Sequence, residues 1–517
     1  MHCIHCNSSS VHSRGTNSSG KKKYRCQDCS KWFSMPSQIE QSSVTMEEHT
    51  VEIKSTKTRF VITSAQSRTP INENFFASIQ RYIKSNDAQL IIIPILYNNK
   101  NAITVNEETT YDLNEELEYD ERLTPYLTNQ NIKLHENLKV LASLKINACA
   151  ESPLSGLDSV TKGDSVIVGH SQLAMKTLAV QQEDMPVILT TTGTISNKNY
   201  SESKTGYKAG FNHSYSAVVV ELDGDRYHIR HLNFDGTGFY DFETYYRYDR
   251  EELTGRIEAL ITGDEHATFA DPKVKDATYI NATSLVSVLQ PKVIVRHDLL
   301  DCYSVSHHHK HNMFINYAKF TSGKNSISDE LKATVEYVID TTPYDTKNII
   351  VSSNHNDHLT RWLNECEVKH EPWNAVIYHF LMYHMLSRTS MKASHAEYPN
   401  PFELYSEETF REFDVDVEFL SRVASYKICD IELASHGDKG QNGARGSRRQ
   451  FANLPSKTII GHSHSPGIDK GCYQVGTSSY LQLEYNAGAS SWLNTHCIIY
   501  PNGKRQLVNI INGKWRN

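Results

Sequence analysis

Ile257-Glu-Ala-Leu-Ile-Thr-Gly-Asp264-Glu-His266 is an apolar, β-branched run that stops at a glycine and hands over to a carboxylate and an imidazole. The run predicts a strand over 257–262, and polar groups at its end mark the carboxyl edge of an α/β sheet, where ligands bind. The pattern recurs downstream. Lys292-Val-Ile-Val leads into Arg296-His297-Asp298-Leu-Leu-Asp301, and Asn348-Ile-Ile-Val-Ser into Ser353-Asn354-His355-Asn356-Asp357. Cys429-Asp-Ile-Glu-Leu-Ala leads into Ser435-His436-Gly437-Asp438, and Lys457-Thr-Ile-Ile into Gly461-His462-Ser463-His464. A single polar residue after a strand is ordinary loop chemistry. Five strand ends in succession that deliver Asp, His and Asn point to a shared site.

Taken in order, Asp264-Glu-His266, His297-Asp298-Leu-Leu-Asp301, Ser353-Asn354-His355, His436 and Gly461-His462-Ser-His464 resemble the motifs of the calcineurin-like metallophosphoesterase superfamily. Those run D-x-H, G-D-x-x-D, G-N-H-[DE], a lone His, and G-H-x-H. His297 and Ser353 stand where the pattern has glycine, and Asp357 lies one position later than its acidic residue. The resemblance implies a β-sandwich flanked by helices over 256–517 and two Mn²⁺ (or Mg²⁺) ions. Asp264, His266 and His464 would hold the first ion, Asp298 would bridge, and Asn354, His436 and His462 would hold the second. His355 would contact phosphate and protonate the leaving oxygen, a role imidazole fills near neutral pH. The residue types suit that chemistry. Phosphodiester hydrolysis needs a nucleophile at neutral pH and charge neutralisation on the phosphate, and a pair of divalent ions supplies both. Carboxylate, imidazole and amide donors without thiolate favour Mn²⁺-like ions over structural zinc.

Sulfur ligands occur elsewhere. Cys3-x2-Cys6 and Cys26-x2-Cys29 have the paired spacing of a four-thiolate zinc site, so residues 1–35 are expected to form a small zinc ribbon holding one Zn²⁺. The polar, Ser- and Gly-rich segment between the pairs could not pack a core unaided, and the ion would supply the missing folding free energy. Lys21, Lys22, Lys23 and Arg25 lie beside Tyr24 and are followed by Trp32 and Phe33. That mixture suits phosphate contact with base stacking, and a solvated charged hairpin is the alternative. The segment is similar to the N-terminal zinc ribbons of some transposases, which touch DNA.

Residues 36–56 read as a linker and 57–255 as an accessory α/β domain. Strands are expected from Arg59 and over Leu90–Leu96, with an amphipathic helix over 74–85 between them in β-α-β order. Further strands are expected over 165–168, 186–190, 216–222 and 227–232, the last two joined by a hairpin at Asp223-Gly224. Residues 107–121 are acidic and read as a solvated loop or helix face. Gly169-His170-Ser171 lacks the small flanking residues of a nucleophile elbow and reads as core or loop.

The 517 residues carry a net charge of −7, so a polyanion could be gripped only by local basic patches. One such patch follows His436, where Lys439, Arg445, Arg448 and Arg449 are spaced by glycines. The internal run His307-His308-His309-Lys310-His311 is either a surface loop or a neighbour of the metal site. No apolar run reaches the ~20 residues of a membrane helix, and the start has no signal-peptide pattern. Six cysteines beyond the first four are scattered singly, which suits a reducing cytoplasm. The layout is similar to the metallophosphoesterase-type proteins of tailed phages, including the host-DNA-degrading group of T5-like phages, where a segment like Val61-Ile-Thr-Ser-Ala-Gln precedes the phosphoesterase half. The expectation is therefore a two-metal deoxyribonuclease with DNA as partner, acting in the cytoplasm, that of the host if phage-encoded. The alternative is a protein or small-molecule phosphatase whose zinc module binds a partner. Homo-oligomerisation stays open.

Overall fold

The computed structural model describes residues 2–3, 5–16, 22–34, 50–53, 55–97, 119–181, 185–392 and 395–517. Lys21, linker residues 36–49 and 54, and acidic residues 107–118 lie outside the described residues. The chain divides into two compact units, Met1–Thr50 and Val51–Asn517, and is mixed α/β.

The small unit is an antiparallel sheet in which Lys22–Cys26 pairs with Val11–Thr16 on one side and Trp32–Ser34 on the other. Its core is Cys3, Cys26 and Phe33, with Val11, Tyr24 and Cys29 packed around them. That is too little apolar surface to hold a fold by burial alone.

In the large unit, one sheet has the strand order Val417–Phe419, Lys347–Ile350, Val293–Arg296, Ala259–Ile261, Thr495–Ile499, Arg505–Asn509. The first four run parallel and the last two close it as an antiparallel hairpin. Side chains alternate between faces, as a pleat requires. Ala259, Ile261, Val295 and Ile349 face a second sheet, while Leu260, Ile294 and Ile350 face helices Ile327–Thr341, Asn354–Glu365, Ala375–Arg388 and Pro401–Glu412. The second sheet runs through Ile431–Glu432, Lys457–Ile460, Cys472–Gln474, Gly467–Asp469, Ala174–Leu178, Val187–Thr191, Ser165–Val168, Leu138–Val140 and Asn131–His135. Residues on both sides of 255/256 therefore share one sheet and one core, in which Ile93, Ile167 and Met175 pack with Ile261, Val475 and Cys497.

The expected β-α-β element is present: Arg59–Gln66 and Gln89–Ile95 are parallel, joined by helix Glu73–Ser85, which Asn72 caps. Ser216–Asp223 pairs antiparallel with Arg59–Gln66 and turns at Gly224 (φ +63°) into Arg226–Asn233. This arrangement repeats the frame of the C-terminal half. There Ala259–Ile261 is parallel to Val293–Arg296 and antiparallel to Thr495–Ile499, which turns into Arg505–Asn509. The shared sheet repeats too: Ser165–Val168, Val187–Thr191 and Ala174–Leu178 pair as Lys457–Ile460, Cys472–Gln474 and Gly467–Asp469 do. The two triplets meet back to back through Ala174–Leu178 and Gly467–Asp469.

Register makes the correspondence residue-specific. Ile62 pairs with Val218 and Ile91 where Ile261 pairs with Cys497 and Val295. Counting on from these pairs, Ala65 occupies the position of Asp264 and Pro94 that of Asp298. Val168 pairs with Thr191 as Ile460 pairs with Gln474, so His170 matches His462 and Gln172 matches His464. The N-terminal half is thus the same frame without most of the ligands. Its counterpart of the site is a closed, neutral network: Tyr200 Oη lies 2.6 Å from Ser171 Oγ, 3.0 Å from Gln66 Oε1 and 3.0 Å from His213 Nδ1.

Among the described residues, no helix is long and apolar enough to cross a membrane.

Candidate metal centre

The parallel strands of the six-stranded sheet end together, and their last residues converge. Asp264, His266, Asp298 and His464 are all buried, with one ligand atom of each within 4.8 Å of the others. His464 Nε2 lies 3.1 Å from His266 Nε2 and 3.0 Å from Asp264 Oδ2. Two ligands of one ion at about 2.0–2.2 Å sit about 3 Å apart, so these separations fit a common cation. His436 Nε2 is 3.0 Å from Asp298 Oδ2, and the His436 and His462 rings are 5.3 Å apart. Asn354 opens helix Asn354–Glu365, which Ser353 caps in a reciprocal box with Asn356. Replacing the expected glycine, Ser353 thus has a structural role.

The donors are poised for a ligand that the protein itself does not supply. Asp264 Oδ1, Asp298 Oδ1 and Asn354 Oδ1 are buried with no hydrogen-bond partner among the described residues. Leaving such groups unpaired costs about 1–3 kcal/mol each, more for charged ones. A second sign is backbone strain. His266 (φ +43°), Asp298 (+42°), His462 (+76°) and His464 (+56°) are all left-handed without being glycine, and such strain clusters at functional sites. Gly461 is a steric necessity, because a Cβ there would fall 2.2 Å from Asp264 Oδ1. The donor set therefore fits divalent cations.

Supporting residues fix these donors. His266 Nδ1 donates to Asp301 Oδ2 at 2.6 Å. Burial opposes charge on His266, but Asp301, Asp298 and Asp264 outweigh it and hold the imidazolium up to about 9. Asp298 is held well below the usual carboxylate range, burial notwithstanding, by His436 and His355. Glu265 points away from the ligands into a buried ion pair with Arg296, 2.9 Å apart, and Arg296 Nε donates to Asn348 Oδ1. His297, where the motif has glycine, is buried with Nδ1 3.3 Å from His436 Nδ1 and positions that ring. Burial and then His436 push its own pKa down to about 4. His355 Nδ1 donates to the Asp301 carbonyl at 2.8 Å, which leaves Nε2 as its reacting nitrogen. The His355 ring stands 4.8 Å from that of His266.

The basic loop divides. Arg445 and Arg449 are exposed. Arg448 is turned inward, its Nη1 donating to Ser465 O and Gln474 Oε1, and burial lowers its pKa. Arg448 is thus half-buried against the sheet, unlike its exposed neighbours Arg445 and Arg449. Lys439 Nζ is 3.3 Å from Asp357, which also pairs with Arg422 at 2.8 Å. The glycines build an ordered hairpin in which Gly440 and Gly446 N–H groups donate to Ala444 and Asp438 carbonyls.

In the small unit, Cys3 and Cys29 Sγ are 3.6 Å apart and Cys6 and Cys26 Sγ 3.5 Å, with all four within 4.8 Å. A tetrahedron with ~2.3 Å metal–sulfur arms has edges near 3.8 Å. The Cys29 backbone N–H helps hold the Cys26 thiol down at about 6. Phe33 is buried and Tyr24 half-buried, whereas Trp32, flanked by Lys23 and Arg25 at 5.9 and 5.8 Å, is 48% exposed.

Asp301 stands in the sequence as the last residue of D-x-x-D, whereas spacing does not single out Arg296, His496 or Trp492. His496, whose Nδ1 accepts from Gly263 N, and Trp492, 4.1 Å from His464, come from distant segments and carry no local signal.

Fold and site together define a mixed α/β protein with a buried Asp/His/Asn centre at the strand ends and a separate four-cysteine unit. The chain belongs to the family of Protein A1 of Escherichia phage T5, with which it is 32% identical over 479 residues, 90% of this chain and 84% of that protein. No family model matches the chain, and no solved structure matches it.

Proposed function

We propose that this protein is a phage-encoded, two-metal metallophosphoesterase that hydrolyses DNA phosphodiester bonds, with a zinc ribbon at its N-terminus. The observation that carries the reading is the convergence of unpartnered oxygens of Asp264, Asp298 and Asn354 with the imidazoles of His266, His436 and His464, in the superfamily's motif order. The relationship to a phage T5 protein supports the phage setting. Asp264, His266 and His464 would hold one ion, Asn354, His436 and His462 the other, and Asp298 both. Divalent ions bound there supply an acidified water and neutralise charge on the phosphate. The chain's own part is to orient and to move a proton. Asp301 fixes His266, His297 fixes His436, and His355 presents Nε2 to the leaving oxygen with Nδ1 tied to the Asp301 carbonyl. Trp32 with Lys23 and Arg25, and exposed Arg445 and Arg449, would meet bases and flanking phosphates. The test is incubation of pure protein and Mn²⁺ with plasmid DNA, a nitrophenyl phosphodiester and a phosphoprotein. DNA degradation supports the nuclease. Activity on the small ester or phosphoprotein alone selects the phosphatase reading, and no activity with metal bound overturns both.

A further inference from the structure

Beside the main centre lies a second group of imidazoles that the proposed chemistry does not use. His307 and His308 sit on the single turn His307–His309, and His358 lies on helix Asn354–Glu365 one turn after His355. One ring nitrogen of each of His307, His308 and His358 lies within 4.8 Å of the others. The His307 ring is 3.9 Å from His308 and 4.8 Å from His358, centroid to centroid. Nδ1 of His307 and Nδ1 of His358 are buried with no hydrogen-bond partner among the described residues. Structural histidines normally pair both ring nitrogens when buried.

We propose that His307, His308 and His358 form a third cation site, selective for a zinc-class ion, that pins the His-rich turn to the helix carrying His355. Three imidazoles with no carboxylate prefer Zn²⁺ and its neighbours over Mn²⁺ or Mg²⁺. Three protein ligands leave a tetrahedral ion one open position. The imidazoles are also in the ligating form. Burial, then His355, His307 and His308, push His358 down to about 3, and burial and His308 lower His307. Arg361, the nearest cation on the same helix, is engaged by Glu365 at 2.8 Å and does not fill the site. The His358 ring stands 5.0 Å from that of His355, so an ion here would place positive charge beside the proposed general acid.

The site is separable from the main centre by a zinc count. Full-length protein is loaded with Zn²⁺ alone, desalted and analysed for bound zinc, in the wild-type and Asp298→Ala backgrounds. Removing Asp298 empties the main centre under the proposed function, so a loss that persists there belongs to the third site. Either His307→Ala or His358→Ala is expected to lower the zinc count by one per chain in both backgrounds. His308→Ala, at an exposed ring, gives a variant whose fold is not at stake and should weaken retention at least tenfold. Loss in the wild-type background only would make these residues an extension of the main centre, and unchanged counts in folded variants would leave no third site. Either result overturns the proposal.

Discussion

Asp301→Asn is expected to weaken Mn²⁺ binding 10–100-fold while leaving the fold intact. The Asp301 carboxylate takes the His266 Nδ1 proton at 2.6 Å, and His266 Nε2 faces His464 Nε2 at 3.1 Å. The carboxylate therefore fixes the tautomer that leaves Nε2 free to bind an ion, and its charge raises the ring's basicity. An amide that presents its oxygen keeps the tautomer and loses the charge. An amide that presents its NH₂ drives the proton to Nε2 and ends ligation. Losing such a supporting partner costs about tenfold to a hundredfold in affinity, about 1.4–2.7 kcal/mol. His355 should keep its position, because its Nδ1 donates to the Asp301 backbone carbonyl at 2.8 Å, while the Asp301 carboxylate lies farther off at 3.8 Å. Mn²⁺ titration followed by electron paramagnetic resonance of the free ion measures the loss, with a thermal melt as the check on folding. The pH profile adds a sign. His266 holds its proton up to about 9 in the metal-free protein, so the proton competes with the ion below that value. Mn²⁺ affinity should therefore rise with pH and level off near 9, and the bend should move down in Asp301→Asn. Affinity within twofold of wild type would refute the orienting role. Loss as complete as in Asp298→Ala would make Asp301 a ligand.

The other expectations separate roles that the geometry keeps apart. His355→Ala should retain metal and lose about 100-fold or more in the chemical step, whereas Asp298→Ala should lose both ions; matching metal titrations for the two would reverse the assignment. Mild chelation should strip the Asp/His/Asn centre and leave the zinc at Cys3, Cys6, Cys26 and Cys29, so elemental analysis of untreated protein without zinc would dismiss the ribbon. Arg445→Ala with Arg449→Ala should reduce the log–log salt slope of DNA affinity by about one for each phosphate no longer neutralised, and spare a small nitrophenyl ester. Arg448→Ala should instead lower the melting temperature, because its guanidinium bridges Ser465 and Gln474 inside the fold.

The strands of the site were legible because each is a short apolar run that breaks at a ligand. Lys457–Ile460 matches the expected bounds, Val293–Arg296 and Lys347–Ile350 differ from them by a residue or two, and Ala259–Ile261 is shorter than the expected 257–262. Local pattern also carried Asp264, His266, Asp298 and His464 to one place. What it could not carry was direction. Arg448 and Arg449 are neighbours in a basic loop, yet one is folded inward and the other is exposed, a difference set by space beside Gly467 and not by composition. Glu265 looks as good a ligand as Asp264 until the fold pairs it with Arg296. The N-terminal half was opaque for a different reason. Motifs are recognised by their ligands, and the repeated frame carries Ala65, Pro94 and Gln172 where the C-terminal frame carries Asp264, Asp298 and His464. Pairing register revealed the repeat where side-chain chemistry had erased it.

That repeat makes a claim about stability. If the two halves were independent domains, residues 256–517 would fold without 57–255. The strand pairs argue against it. Gly467–Asp469 has Cys472–Gln474 on one side and Ala174–Leu178 on the other, with Ile468 opposite Met175 and both buried. Removing the N-terminal half would strip a ladder from the middle of a sheet and take Ile93 and Ile167 out of the core that Ile261, Val475 and Cys497 share with them. An unpaired central strand and an open apolar face are both aggregation hazards. The C-terminal half expressed alone should therefore be insoluble or molten, despite containing every proposed metal ligand. In the intact chain, Met175→Ala should cost about 2–5 kcal/mol, as large-to-small changes in a packed core do. It should shift one cooperative transition of the large unit, read identically by near-ultraviolet dichroism and by release of Mn²⁺. Two separated transitions, with Mn²⁺ held through the first, would mean that the ligand-free copy is only attached to the working one and does not complete its core.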